Sequence, residues 1–322
     1  MTDFWQTLNE QYPVTQYLDS NKTNYLMPLN QLGIIQIEGE EAGSFLQNLL
    51  TNDVNALAIN QSQLNGFCSA KGRLLATFLL VRRADSFQLV LPKSMCDGLQ
   101  QRLTMFKLRT KVTISNVSEK LSLVGLITNS EKHTDVILPQ QDYQAAEDNN
   151  NLLLKLPSSM DRYLCIVQQD NLDTFCQQLL RQTWQLAVES SWQLLDIEQG
   201  LSTVVPETKE KFTPQQINFD LVGGVSFNKG CYPGQEVVAR LHYLGKPSRR
   251  LFSASCSSDK LPTAGEEVTD QEGNILGHVA AAQFSSANNI KLLLSLKLAG
   301  SDKPMFTSGP TTVTDVQAFA AD

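Results

Sequence analysis

With 322 residues, 42% of them hydrophobic and 18% charged, the chain has material for two or three domains and is too apolar to be disordered in bulk. Its net charge of −7 speaks against bulk nucleic-acid binding, though not against a local basic patch. The N-terminal stretch MTDFWQTLNEQYPVTQYLDS has no signal-like apolar core, and apolar runs such as LLATFLLV are too short to cross a bilayer. A soluble cytoplasmic protein with no membrane partner is therefore expected.

In chain order, GIIQIEG (33–39) alternates apolar and polar residues as a strand does. It leads into EEAGSFLQNLLTNDV, where Ala42, Phe45, Leu46, Leu49 and Leu50 share one helical face. NGFCSAKGR (65–73) reads as a turn, followed by strands LLATFLLV and FQLVLP. The spacing of Met95, Leu99, Leu103 and Phe106 predicts a helix from 93 to about 108, and KVTIS a strand after it. Strand, helix, strand, strand, helix, strand is the order of a split βαβ lobe.

A second such pattern follows. LSLVGLI, LLLKL and RYLCIVQ read as strands, NLDTFCQQLLRQ as a helix, and SSWQLLDIEQG as a helix closed by Gly200. QQDYQAAEDNNN (140–151) reads as a polar loop. Beyond Gly245 the short strands RLFSASC, EEVTD, NILGHVAAAQ and IKLLLSLK, with QEGN as a hairpin turn, predict a small β-barrel.

The six cysteines (Cys68, Cys96, Cys165, Cys176, Cys231 and Cys256) are widely spaced, and the three histidines are His133, His242 and His278. Without close paired ligands, no metal site is expected. In NKGCYPGQEVVAR (228–240), Gly230 and Gly234 allow a tight loop and Pro233 keeps it out of a helix. GQEVVARLH then begins one. Cys231 falls at or just before a helix N-terminus and beside Lys229, and both features favour a thiolate. The residues alone leave two readings equally open: a working thiol, or a small side chain filling a glycine turn. Neither His242 nor His133 is spaced as its base.

NKGCYPGQEVVAR is similar to the K-G-C-aromatic-x-G-Q-E signature of the YgfZ family, folate-binding proteins related to the glycine-cleavage T-protein. The likeness continues through FLQNLLTNDV (45–54), CSAKGR (68–73), LTMFKLRTKVTI (103–114) and FTPQQINFDLVGGVSFNKG (212–230). It implies an α+β, aminomethyltransferase-like fold. Two intertwined ferredoxin-like lobes in residues 1–243 would surround a central channel, and a C-terminal β-barrel would occupy 247–322. It further implies tetrahydrofolate as the channel's ligand. The implied role is iron–sulfur cluster assembly or repair in client enzymes, with those enzymes or assembly proteins as partners, and through them tRNA thiolation.

Under this resemblance Cys231 is the functional thiol, and Lys229, Gly230, Tyr232, Gly234, Gln235 and Glu236 shape its loop. Trp192 would stack on the pterin, Glu198 would accept from its donor nitrogens, and Lys71 and Arg73 would meet folate's anionic tail. From the residues alone, Trp192 fits a core aromatic equally well, and Glu198, Lys71 and Arg73 fit solvated surface charges. Related aminomethyltransferases carry an acid that activates the folate. Here Ala76 and Thr77 stand at the comparable positions, with no Asp or Glu from Leu64 to Arg83. A second tryptophan expected near the first strand is replaced by Leu32. Two alternatives remain: a folate-dependent one-carbon transferase, and a scaffold with a vestigial channel.

Overall fold

Period-two burial on both faces organises the first lobe. The strand Leu32–Glu38 pairs antiparallel with Ser86–Pro92 on one side and Thr113–Asn116 on the other. Leu74–Arg82 and Gln61–Cys68 extend the sheet beyond Ser86–Pro92 to five strands. One face, with Ile35, Ile37, Leu80, Leu89 and Leu91, packs under the helices Ala42–Gln47 and Lys93–Lys107. The other face, with Ile34, Leu79, Val81 and Val90, joins a second core. Burial on both sides is why LLATFLLV and FQLVLP read as nearly unbroken apolar runs. The computed structural model describes residues 4–19, 23–128, 136–182, 184–245, 247–299, 304–307 and 311–319.

That second core is shared with a seven-stranded sheet ordered Val14–Thr15, Gln185–Ala187, Tyr25–Pro28, Leu121–Thr128, Asp161–Gln168, Asn151–Leu156, Ala145–Asp148. Met27, Leu123, Ile127, Leu152, Leu164 and Trp192 face the first lobe across it. On the opposite face, helices Phe4–Gln11 and Leu172–Arg181 bury Trp5, Leu8, Phe175, Cys176 and Leu179. The strands flanking the five-stranded sheet in sequence therefore belong to its neighbour, which makes the lobes intertwined.

The last part of the chain is a closed six-stranded barrel, in the order Arg249–Ser257, Asn289–Lys297, Ile275–Phe284, Glu267–Thr269, Met305–Thr307, Thr311–Ala318. Antiparallel pairing of Arg249–Ser257 with Thr311–Ala318 closes it. The helix Glu189–Glu198 lies against the barrel strand Ile275–Phe284. There Gln283 Nε2 donates to Gln193 Oε1 (2.5 Å), and Gln193 Nε2 donates to Gln31 Oε1 (2.8 Å). This amide chain ties the barrel to the lobes.

Three sequence expectations need correction. The helix entered at residue 42 has only six residues and ends at Gln47, although Leu49 and Leu50 are also buried. NGFCSAKGR is only half a turn, because the strand Gln61–Cys68 runs through its first four residues. The polar stretch 140–151 contains the strand Ala145–Asp148, which turns back through Asn149 and Asn150 at φ 49° and 67°. Asparagine tolerates the left-handed conformation this hairpin needs. Among the described residues no helix is long and apolar enough to cross a membrane.

Candidate functional site: an interlobe cavity and a surface thiol loop

Trp192 and Asp196 are four residues apart on the helix Glu189–Glu198, about 40° apart around its axis. Both face a cavity where the two sheets and the barrel meet. An inner chamber of about 100 Å³ is walled by Leu32, Leu64, Thr77, Tyr143 and Arg162 along with them. An outer chamber of about 260 Å³ shares Leu32, Trp192, Asp196, Leu201 and Thr203 and opens toward Glu189 and the barrel's Ala281. Glu198 lies about 160° round the helix from Asp196. It is exposed and lines a separate hollow with Gln16, Tyr17 and Phe284. The carboxylate presented to the chamber is Asp196, not Glu198.

Arg162 comes from the strand Asp161–Gln168 and is fully buried. Its Nη1 lies 2.8 Å from Asp196 Oδ1 in an ion pair. Among the described residues none of its three nitrogens finds a hydrogen-bond partner, Nη1 meeting Asp196 as an ion pair. Leaving a buried donor unpaired costs about 1–3 kcal/mol, so these nitrogens mark where an acceptor belongs. The guanidinium carbon sits 4.8 Å from the Trp192 ring centroid. The indole edge rests against Gly125, where a Cβ would come within 2.7 Å of Trp192 Cε3. Trp192 thus lines both chambers, but the guanidinium covers part of the ring surface expected to stack on a ligand.

Burial raises the Asp196 pKa, and Arg162 partly offsets the rise. Burial also pushes the Tyr143 hydroxyl up to about 12, again against the pull of Arg162. Thr77 faces the inner chamber and its Oγ1 accepts from the Val204 N–H at 2.9 Å, while Ala76 packs into the core on the other side of the strand. Leu32 lines both chambers where a tryptophan was expected.

Lys71 and Arg73 line neither chamber. Lys71 is exposed, and Arg73 Nη1 donates to the Lys211 carbonyl. Their turn packs instead on the thiol loop. Gly234 has φ +80°, and a Cβ there would lie 2.3 Å from the Ser69 carbonyl oxygen. A Cβ at Gly72 would reach Val237 Cβ at 2.9 Å. Segments 68–73 and 228–240 are pressed together through these two glycines. By contrast, a Cβ on Gly230 would meet nothing within 4 Å, so no close contact demands a glycine there.

Cys231 is exposed, and the other five cysteines are buried. Burial pushes the Cys68 thiol up to about 12 and raises Cys96, Cys165, Cys176 and Cys256 as well. Cys231 lies in the turn ahead of the helix Gln235–Tyr243, whose first N–H donates to the Tyr232 carbonyl at 3.1 Å. Glu236 is exposed in the helix's first turn. His242 is exposed and stacks on Phe227 at 3.6 Å. His133 lies outside the described residues.

Lys229 does not serve the thiol as expected. It is buried, and its Nζ donates to the carbonyls of Gln47 (2.6 Å), Leu50 (2.5 Å) and Asn52 (3.1 Å). An ammonium has three N–H donors, so none remains for Cys231. Burial lowers the Lys229 pKa to about 8, with Asp53 pulling it back up. The same contacts satisfy carbonyls at and just beyond the end of the Ala42–Gln47 helix, which accounts for its stop at Gln47. Lys229 Nζ also sits 5.3 Å from the ring centroid of buried Tyr232.

The segment that holds Lys229 also braces the chamber. Thr51 Oγ1 donates to the Gly224 carbonyl (2.7 Å) and accepts from the Gly66 N–H (2.8 Å). Asn52 Nδ2 donates to the carbonyls of Leu64 (2.9 Å) and Gly223 (2.7 Å), and Leu64 is chamber wall. Arg162 and Asp196 are the residues that sequence reasoning missed. Two signals pointed to them: a carboxylate one helical turn after Trp192, and an arginine heading the apolar strand YLCIV. Among the described residues, no cluster of three or more His, Cys, Asp or Glu is placed to hold a metal.

Comparison with known proteins places these features. The GCVT N-terminal domain family matches residues 20–130. The crystal structure of glycine cleavage system aminomethyltransferase T from Bartonella henselae superimposes with a TM-score of 0.76 at 17% identity, covering 98% of this chain and 96% of that one. The fold is therefore α+β and of the glycine-cleavage T-protein class, with two lobes and a C-terminal barrel. A protein named tRNA-modifying protein YgfZ from Colwellia psychrerythraea (strain 34H) is 30% identical over 80% of this chain and 82% of its own length. Its namesake in Edwardsiella ictaluri (strain 93-146) is 33% identical over 80% of each. The chain belongs to the YgfZ family.

Proposed function

We propose that this chain is a folate-binding factor that supports iron–sulfur cluster assembly or repair in client enzymes, and through them tRNA thiolation, with Cys231 as the working thiol. The observation that carries the reading is the pairing of a cavity holding unpartnered donors with an exposed thiol on a braced loop. Relatives bearing the name tRNA-modifying protein support its tRNA side. In this reading the protein acts in the cytoplasm.

The cavity residues fit tetrahydrofolate. Arg162 offers free donors, Asp196 an acceptor, and Trp192 with Leu32 and Leu64 an apolar wall that excludes water. Folate, when bound, supplies a carrier for one-carbon units. The cluster is cargo in this reading, and one thiolate cannot complete a four-ligand shell, so any cluster contact draws further ligands from a partner.

A one-carbon transferase is the second reading, favoured by the presence of Asp196 in the chamber. Against it, that carboxylate is engaged by Arg162, and Thr77 holds the Val204 N–H where the transferase acid would stand. The test is deletion of the gene and complementation. Wild type should restore iron–sulfur enzyme activities and tRNA thiolation, and Cys231→Ser should not. Full rescue by Cys231→Ser would remove the thiol from the mechanism. Aminomethyl transfer at about one turnover per second or faster would favour the transferase.

A further inference from the structure

Arg162 is buried, and among the described residues its guanidinium meets only the Trp192 ring and, as a charged partner, Asp196. The planar fork carries five N–H donors. With Nη1 on Asp196 Oδ1 at 2.8 Å, the pair offers a donor, Arg162 Nη2, beside an acceptor, the Asp196 carboxylate. A neighbouring donor and acceptor complement a ring lactam, in which a carbonyl oxygen sits next to an N–H. The pterin of folate carries such an edge.

We propose that Arg162 is the residue that selects oxo-pterins in this cavity, donating to the ring carbonyl oxygen while Asp196 accepts from the adjacent ring N–H. The proposal rests on the folate reading above. An anionic group, such as folate's glutamate tail, is the poorer occupant here. Asp196 repels it, the Arg162–Asp196 pair is already neutral, and the surrounding wall of Leu32, Leu64 and Phe78 is apolar. Trp192, with the guanidinium 4.8 Å from its ring centroid, keeps the fork aimed. Guanine presents the same lactam edge, so guanosine is the competing source of this chemistry.

The experiment measures binding of 5-formyltetrahydrofolate, folic acid, aminopterin and guanosine to the full chain by calorimetry. Folic acid and aminopterin differ only in carrying an oxo or an amino group at one ring position. Arg162→Met should weaken folic acid about 10–100-fold, the effect of losing a hydrogen bond to a charged donor, and leave aminopterin within about threefold. Met alone strands Asp196, so Arg162→Met/Asp196→Leu is measured alongside, with Tm confirming that both variants fold. In the double variant the ratio of the two affinities should collapse toward one. Equal losses for both ligands, or none for folic acid, would overturn the proposal while leaving folate binding intact. Failure of the wild type to bind any folate would overturn the folate reading and this proposal with it. Guanosine binding more tightly than 5-formyltetrahydrofolate would keep the lactam geometry and reject folate as its source.

Discussion

The cavity and the thiol loop are built in opposite ways. The cavity draws Thr77, Tyr143, Arg162 and the pair Trp192 and Asp196 from four separate segments, and its chemistry lies in side-chain tips. The thiol loop is one continuous stretch, held by main-chain contacts: three carbonyls on Lys229 and the close approach of Gly234 to Ser69. Many side-chain combinations can wall a cavity, whereas a left-handed residue pressed on a carbonyl admits only glycine. The difference teaches why one region declares itself as a motif and the other does not. The two meet at Asn52, whose side chain donates to the Leu64 carbonyl of the chamber wall and whose own carbonyl accepts from Lys229.

Breaking the loop while sparing the cavity gives the largest expected effect. Gly234→Ala puts a Cβ 2.3 Å from the Ser69 oxygen at φ +80°, so it should destabilise the protein by about 3–5 kcal/mol in urea unfolding. A loss below about 1 kcal/mol would mean that the loop relaxes freely and is not fixed by this contact. Lys229→Met comes next. It leaves three carbonyls without their shared donor and should cost about 1–3 kcal/mol, with a changed rate of Cys231 alkylation and an unchanged folate affinity. Folate affinity falling in step with loop stability would show the two regions to be one coupled unit through Asn52.

The same contrast explains what the sequence disclosed. Strand and helix positions were legible wherever burial was one-sided or continuous, as in 33–39, 74–81 and 93–108. The early stop at Gln47 was not, because the residue that ends the helix, Lys229, lies 182 positions away. In the cavity, Trp192 is legible in the sequence, but the likeness points to Glu198, and only the helix geometry brings forward Asp196. Arg162 went unremarked because a charged residue at a strand end usually faces solvent. Only the packing of two sheets and a barrel shows that it faces inward. Lys71 and Arg73 are placed at the channel by the resemblance, whereas the glycines around them dock their turn on the thiol loop.

The smallest effect is a pH dependence that isolates Lys229. Its pKa is lowered from 10.5 to about 8 by burial, against the opposing pull of Asp53. Between those values the unfolded chain holds the proton that the folded chain has shed, so stability from this group rises with pH across that window and is flat below it. The buried cysteines, with raised pKa values, act in the reverse direction at alkaline pH: their unfolded forms ionise first and stability falls. Subtraction removes them, because wild type and Lys229→Met share every cysteine. The wild type's stability relative to Lys229→Met should therefore grow by about 1 kcal/mol between pH 8 and 9, read from urea unfolding at matched ionic strength. A flat or shrinking difference would mean that the three carbonyls hold the proton more strongly than burial expels it. The loop would then be fastened by a full ammonium throughout this range, and its stability would be no more sensitive to pH than the cavity's.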